Sequence, residues 1–230
     1  HTATQHPLTV KPPKPIDYIK SNLQGLVNVA EFAKKSRVQK LIYFSSMAVL
    51  GQITTGVVDE GSPLNAPDLY GITKYAGEAV LRDYKSNFDS LVVRLPGIVG
   101  PILDLERPWL IQVLRKALLG EIIAYSNPDA LFNNVVDLEE ITRFIRFIIS
   151  DQDYKGADVV YLASCEAIPL HQVIKTIVQK TGNQSPMVVN KDARTPFYID
   201  LSHLIETCNY IPSRTIETII RFVHCNLKNS

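Results

Sequence analysis

A chain of 230 residues with 46% hydrophobic and 20% charged residues has the balance of a folded globular protein, one α/β domain or a large domain with a small appendage. Its formal net charge of +1, without long charge runs, offers no basic face for nucleic acid. No apolar stretch reaches the length of a membrane span ("FIRFIIS" is short and broken by Arg146), no signal peptide is recognised, and Cys165, Cys208 and Cys225 form neither a metal nor a disulfide pattern, so a cytoplasmic protein without a metal is expected.

The chain opens on the polar "HTATQHP" and a Pro-rich loop. Residues 16–36 carry apolar side chains at 16, 19, 23, 26, 27, 30 and 33, which is helical spacing. "KLIYFSS" is a short β-branched and aromatic run, the pattern of a buried strand. Residues 51–69, rich in Gly, Pro, Asp and Ser, form a loop. A second long helix follows from Tyr70, then a buried strand, "SLVVRL", closed by "PGIVGP". Further on, helices are predicted at 107–120, 137–151, 169–182 and 215–227, with a strand in "DVVYLAS". Asp137 caps the second of these. Alternating helix and strand argues for βαβ units in a parallel sheet with helices on both faces. Right-handed crossovers then bring the loops after the strands to one edge, where ligands bind. Ser45 and Ser46 lie in one such loop, Pro96 and Gly97 in another.

The stretch "YGITKYAGEAVLRDY" places Tyr70 and Lys74 one helical turn apart on one face. A phenol titrates near 10 and is a poor base at neutral pH, but a neighbouring ammonium favours the phenolate and lowers that value. Such a tyrosine can pass a proton to or from a hydroxyl or carbonyl, and Ser46, at a strand end, can hold the same oxygen. This trio suits hydride transfer between a nicotinamide and an alcohol or ketone. A lone Tyr-x-x-x-Lys is common in helices; its position after a Pro/Asp loop, with a Ser-Ser strand end upstream, makes it specific.

With these residues in view, the chain resembles the extended short-chain dehydrogenase/reductase family, in its NAD-dependent nucleotide-sugar epimerase/dehydratase branch. "NLQG" looks like that family's Asn-x-x-Gly helix, "SSMAVLG" like its Ser-Ser-x-x-Val-Tyr-Gly strand end, and "YGITKYAGE" like its Tyr-x-x-x-Lys helix. "VVRLPGIVGP", "FNNVVDLEEI" and "HTAT" are similar to three further segments of it. The resemblance implies a Rossmann-like doubly wound parallel sheet with a smaller C-terminal substrate lobe. The cofactor domain would span 1–164, with 97–134 contributing to the lobe, and 165–230 would be mainly lobe and closing helix. It further implies NAD or NADP as cofactor, with Ser46, Tyr70 and Lys74 catalytic. Ala3, Thr4, Asn22, Ser45, Tyr70, Lys74 and Pro96 would lie along the cofactor, and Met47, Gly97 and Asn134 would meet the substrate. The expected activity is that of an epimerase, dehydratase or reductase on a sugar, nucleotide-linked. A homodimer would form through the helices 16–36 and 70–86, with Leu26, Val29, Phe32, Ala76 and Val80 at its centre.

Several positions depart from the family. Leu50 replaces a tyrosine, Gly97 an asparagine that faces substrate, Asn134 a histidine or tyrosine, and a phosphate-gripping arginine is absent from "NPDALFNNVVD". The Gly-x-x-Gly-x-x-Gly turn that cradles the cofactor pyrophosphate is not in the sequence. The resemblance places His1 at the end of the fourth strand, with roughly 60 to 70 residues of a Rossmann unit expected ahead of it at about 30 residues per βαβ unit. Alternatives are a non-catalytic dinucleotide-sensing or partner-binding protein on this scaffold, an inactive truncated fragment, and a reductase of small ketones.

Overall fold

A computed structural model describes residues 1–2, 4–7, 13–101, 108–150, 157–191 and 195–228. The first predicted helix is one continuous rod in three parts: α1 (Pro15–Tyr18), a π-helical stretch (Ile19–Gln24) and α2 (Gly25–Lys35). In the wide central turn the Gly25 N–H donates to the Lys20 carbonyl, five residues back. Then come β1 (Lys40–Ser46), a 3₁₀ turn (Met47–Leu50), β2 (Val57–Val58), α3 (Leu69–Asp83), β3 (Asp89–Leu95) and β4 (Gly97–Val99). The second half continues with α4 (Trp109–Leu119), β5 (Ile123–Tyr125), β6 (Leu131–Phe132), β7 (Val135–Asp137), α5 (Leu138–Ser150) and β8 (Ala157–Tyr161). It ends with β9 (Ile168–Pro169), α6 (Leu170–Thr181), β10 (Met187–Val189), β11 (Tyr198–Ile199), α7 (Ser202–Cys208) and α8 (Thr215–Leu227). The strands of two or three residues and the two-turn α7 escape sequence reading, because such short segments show no period.

The central sheet is parallel with order β1-β3-β8, in register from Lys40 opposite Asp89 to Ser46 opposite Leu95. His1 extends its edge: its nitrogen donates to the Ile42 carbonyl at 2.6 Å, and the Phe44 N–H to the His1 carbonyl at 3.4 Å. Strand alternation sends Tyr43 and Val92 to one face, where Leu26, Ala30 and Ala33 of α2 and Leu81 of α3 cover them. Leu91, Val93 and Leu95 go to the other, under Phe144 and Ile148 of α5 and Leu204 of α7. Both faces are thus sealed by helices, as the alternation of elements predicts. Leu26 is fully buried inside the chain and so cannot lie at the centre of a dimer contact, because the face it occupies is the one that packs on β1. A separate apolar cluster joins α4, α6 and α8 with β5 and β6, through Leu114, Ile123, Phe132, Ile177 and Phe222.

Candidate active site

The position of Tyr70 follows from how α3 begins. Asp68 caps the helix, accepting from the Gly71 N–H at 2.8 Å. Gly71 then lies against the 3₁₀ turn so closely that a Cβ there would sit 2.1 Å from the Ala48 carbonyl oxygen. That turn is held by Ser46, whose Oγ accepts from the Ala48 N–H at 3.2 Å. Docking the helix start on the end of β1 brings the Tyr70 phenol near the Ser46 hydroxyl, which acts to lower its pKa.

The electrostatics differ from the sequence expectation. Burial pushes the Tyr70 phenol above its ordinary value, and the charge of Asp68 and the phenol of Tyr18 add to this; the Ser46 hydroxyl pulls it down. Lys74 is not among the groups that set it. The Lys74 ammonium lies instead over the ring of Tyr43, 4.4 Å from its centroid. Burial lowers Lys74 to about 8, against the carboxylate of Glu78, which raises it. Sequence spacing puts Tyr70 and Lys74 on one face, but the direction of the amine is set by the strand beneath.

Behind Lys74 lies a buried network. Glu78 Oε1 accepts from Ser45 Oγ at 2.5 Å and from Arg94 Nε at 3.0 Å, and its Oε2 from Arg94 Nη2 at 2.8 Å. Arg94 Nη1 also donates to the Tyr161 hydroxyl at 3.2 Å. Ser45 is therefore committed to Glu78 and is not brought to Tyr70.

Asn22 sits in the π-helical turn and clamps the start of the chain. Its Oδ1 accepts from Thr4 Oγ1 at 2.9 Å and from the Gln5 N–H at 2.6 Å, while its Nδ2 donates to the Gln5 carbonyl and to Thr73 Oγ1, each at 3.1 Å. With these bonds its amide is fully used, so Asn22 supports the site from behind. The clamp leads to His6, whose ring meets Tyr70 edge-on at 5.0 Å. Tyr18 lies on Tyr70 from α1 at 6.5 Å.

The remaining predicted residues sit close by in sequence or apart. Pro96 and Gly97 follow the end of β3, half-buried, and Met47 follows Ser46 against the core. Asn134 precedes β7; its Nδ2 donates to the Phe197 carbonyl at 3.3 Å, and its buried Oδ1 has no partner among the described residues. Ala3 lies outside the described residues. Asp137 is a helix cap, accepting from the Glu140 N–H at 2.7 Å, and pairs with Arg221 at 2.8 Å. Sequence reading missed His6, Tyr43, Glu78 and Arg94. Glu78 had a signal, since it stands one turn beyond Lys74; Tyr43 and Arg94 had only strand alternation, and His6 had none. Among the described residues no group of three His, Cys, Asp or Glu could hold a metal.

A neutral phenol near a serine hydroxyl, with an amine one turn on, can hold and transfer a proton at a substrate oxygen. The family model described as NAD dependent epimerase/dehydratase matches residues 1–169. An uncharacterised protein of Methanocaldococcus jannaschii is 28% identical over 229 residues, covering 94% of this chain and 67% of that protein. The UDP-glucose 4-epimerase of Bacillus subtilis is 38% identical over 69 residues, 30% of this chain and 20% of that enzyme. Among solved structures, the Bordetella bronchiseptica enzyme WbmG in complex with NAD and UDP superposes with a TM-score of 0.79 at 21% identity, over 100% of this chain and 72% of its own.

Proposed function

The chain belongs to the NAD-dependent epimerase/dehydratase family, and from that premise we propose that it acts on a nucleotide-linked sugar, with Tyr70 as proton donor and acceptor, Ser46 as its partner on the same oxygen and Lys74 as the charge behind them. The observation that carries this is the docking of the start of α3, with Gly71 against the Ala48 carbonyl, on the turn held by Ser46 at the carboxyl end of β1, which buries Tyr70 there one turn from a buried lysine. UDP-sugars are the proposed substrates, because the Bacillus subtilis relative is a UDP-glucose 4-epimerase.

The residues present fit the nicotinamide end of NAD: hydroxyl and phenol donors face the ligand edge of parallel strands, with an amine one turn behind. Bound there, NAD supplies hydride uptake and return. Thr4 and Pro96 would flank it, Asn22 would brace the segment carrying Thr4, and Met47, Gly97 and Asn134 would face the sugar. The cluster of α4, α6 and α8 is proposed as the core of the substrate lobe.

At neutral pH Tyr70 keeps its proton, since burial holds it above its ordinary value, and is ready to donate to a carbonyl oxygen. Taking a proton from a sugar hydroxyl needs the phenolate, which the Ser46 hydroxyl favours. A homodimer is proposed through the outer face of α2 and α3, where Phe32, Ile72 and Tyr75 are exposed and Val29, Ala76 and Val80 half-buried.

Tyr70→Phe tests the assignment. Turnover of UDP-sugars with NAD should fall by about 10²-fold or more, with the circular dichroism spectrum and melting temperature kept. Wild-type turnover in this variant would sink the reading.

A further inference from the structure

We infer that Tyr43 is a positioning residue for Lys74: the face of its ring seats the buried ammonium one helical turn from Tyr70. Tyr43 is the fourth residue of β1 and faces α3, with 1% of its surface exposed. Lys74 Nζ stands 4.4 Å from the ring centroid, inside the range of a cation–π contact. The hydroxyl of Tyr43 does not explain the residue. It is buried and has no hydrogen-bond partner among the described residues, which by itself is unfavourable. It is also tightly enclosed: a Cβ at Gly77 would lie 2.6 Å from it and 2.8 Å from Leu26 Cδ2. What the site uses is the ring, and Gly77 is the residue that lets the ring slide under the helix.

The other groups facing Lys74 are few. Glu78, on its own helix, raises the amine but is itself tied to Arg94 of β3 and Ser45 of β1. The ring of His1 stacks on Tyr43 at 6.2 Å. Since Glu78 is shared with a cation, the aromatic face is the contact that belongs to Lys74.

The inference rests on the reading of Lys74 as the charge behind Tyr70, and its test is separable from that reading. The Lys74 Cε resonance, assigned with Lys74→Met, is titrated in the intact protein without cofactor or substrate. Position 43 is changed to Phe and then to phenylalanines carrying one, two and three ring fluorines, which weaken the ring face without altering its shape. Tyr43→Phe should keep the midpoint near 8. The fluorine series should lower it stepwise, by about one pH unit in all, with melting temperatures level. A midpoint indifferent to fluorine, or moved as far by Tyr43→Phe alone, overturns the seat. NAD-dependent turnover that survives Lys74→Met would instead sink the functional reading and leave the seat standing.

Discussion

At the scale of single residues, Lys74 makes the stability of this protein depend on pH. Its amine titrates near 8 in the folded chain, against an ordinary value of 10.5. Between these values the unfolded chain binds more protons than the folded one, so stability rises with pH from about 8. Above about 10 Tyr43 opposes this, since burial and the charge of Glu78 keep its phenol protonated in the folded state. Urea titrations should therefore show a gain of about 2 kcal/mol between pH 8 and 10, and Lys74→Met should flatten it. A wild-type profile flat over that range would mean that Lys74 is solvated. That a strand end carrying Ser46 and a helix start carrying Tyr70 flank one loop was legible in the sequence. The direction of Lys74 was not, since it depends on which residue of β1 lies beneath.

At the scale of elements, α3 carries the site and two contacts fix it. The first is the close approach of Gly71 to the Ala48 carbonyl. Gly71→Ala forces that backbone apart and should cost about 1–3 kcal/mol, as overpacking does, with a loss of turnover beyond the loss of folded protein because Tyr70 withdraws from Ser46. Wild-type stability in this variant would show that the helix start is not wedged. The second contact ties the middle of α3 to β3 through Glu78 and Arg94, both almost fully buried. Glu78→Gln leaves a buried guanidinium without its counter-charge and should cost about 3–5 kcal/mol in chemical denaturation. Nearly every long element was visible from period and caps. The π-helical turn was not, for it answers to Asn22 and its bonds to Thr4, Gln5 and Thr73, partners distant in sequence.

At the scale of the whole molecule, the outer face of α2 and α3 leaves Phe32 67% and Ile72 50% exposed, large apolar side chains on neighbouring helices. If this face joins two copies, Phe32→Glu with Ile72→Lys should give a monomer by sedimentation velocity where the parent chain is a dimer; a monomeric parent would end the proposal. No helix among the described residues is long and apolar enough to cross a membrane. By itself the sequence determined the parallel sheet with helices on both faces and the cap at Asp137, and it set Ser46 at a strand end and Tyr70 at a helix start. These follow from periods of two and 3.6 and from chain direction, which are local properties. Only the tertiary structure decided that Ser45 serves Glu78, that Leu26 is sealed in the core, and that Lys74 rests on Tyr43. Each of these depends on which face of a helix meets which side of a strand, and on the room left by Gly71 and Gly77, where backbone and ring approach more closely than any side chain would allow.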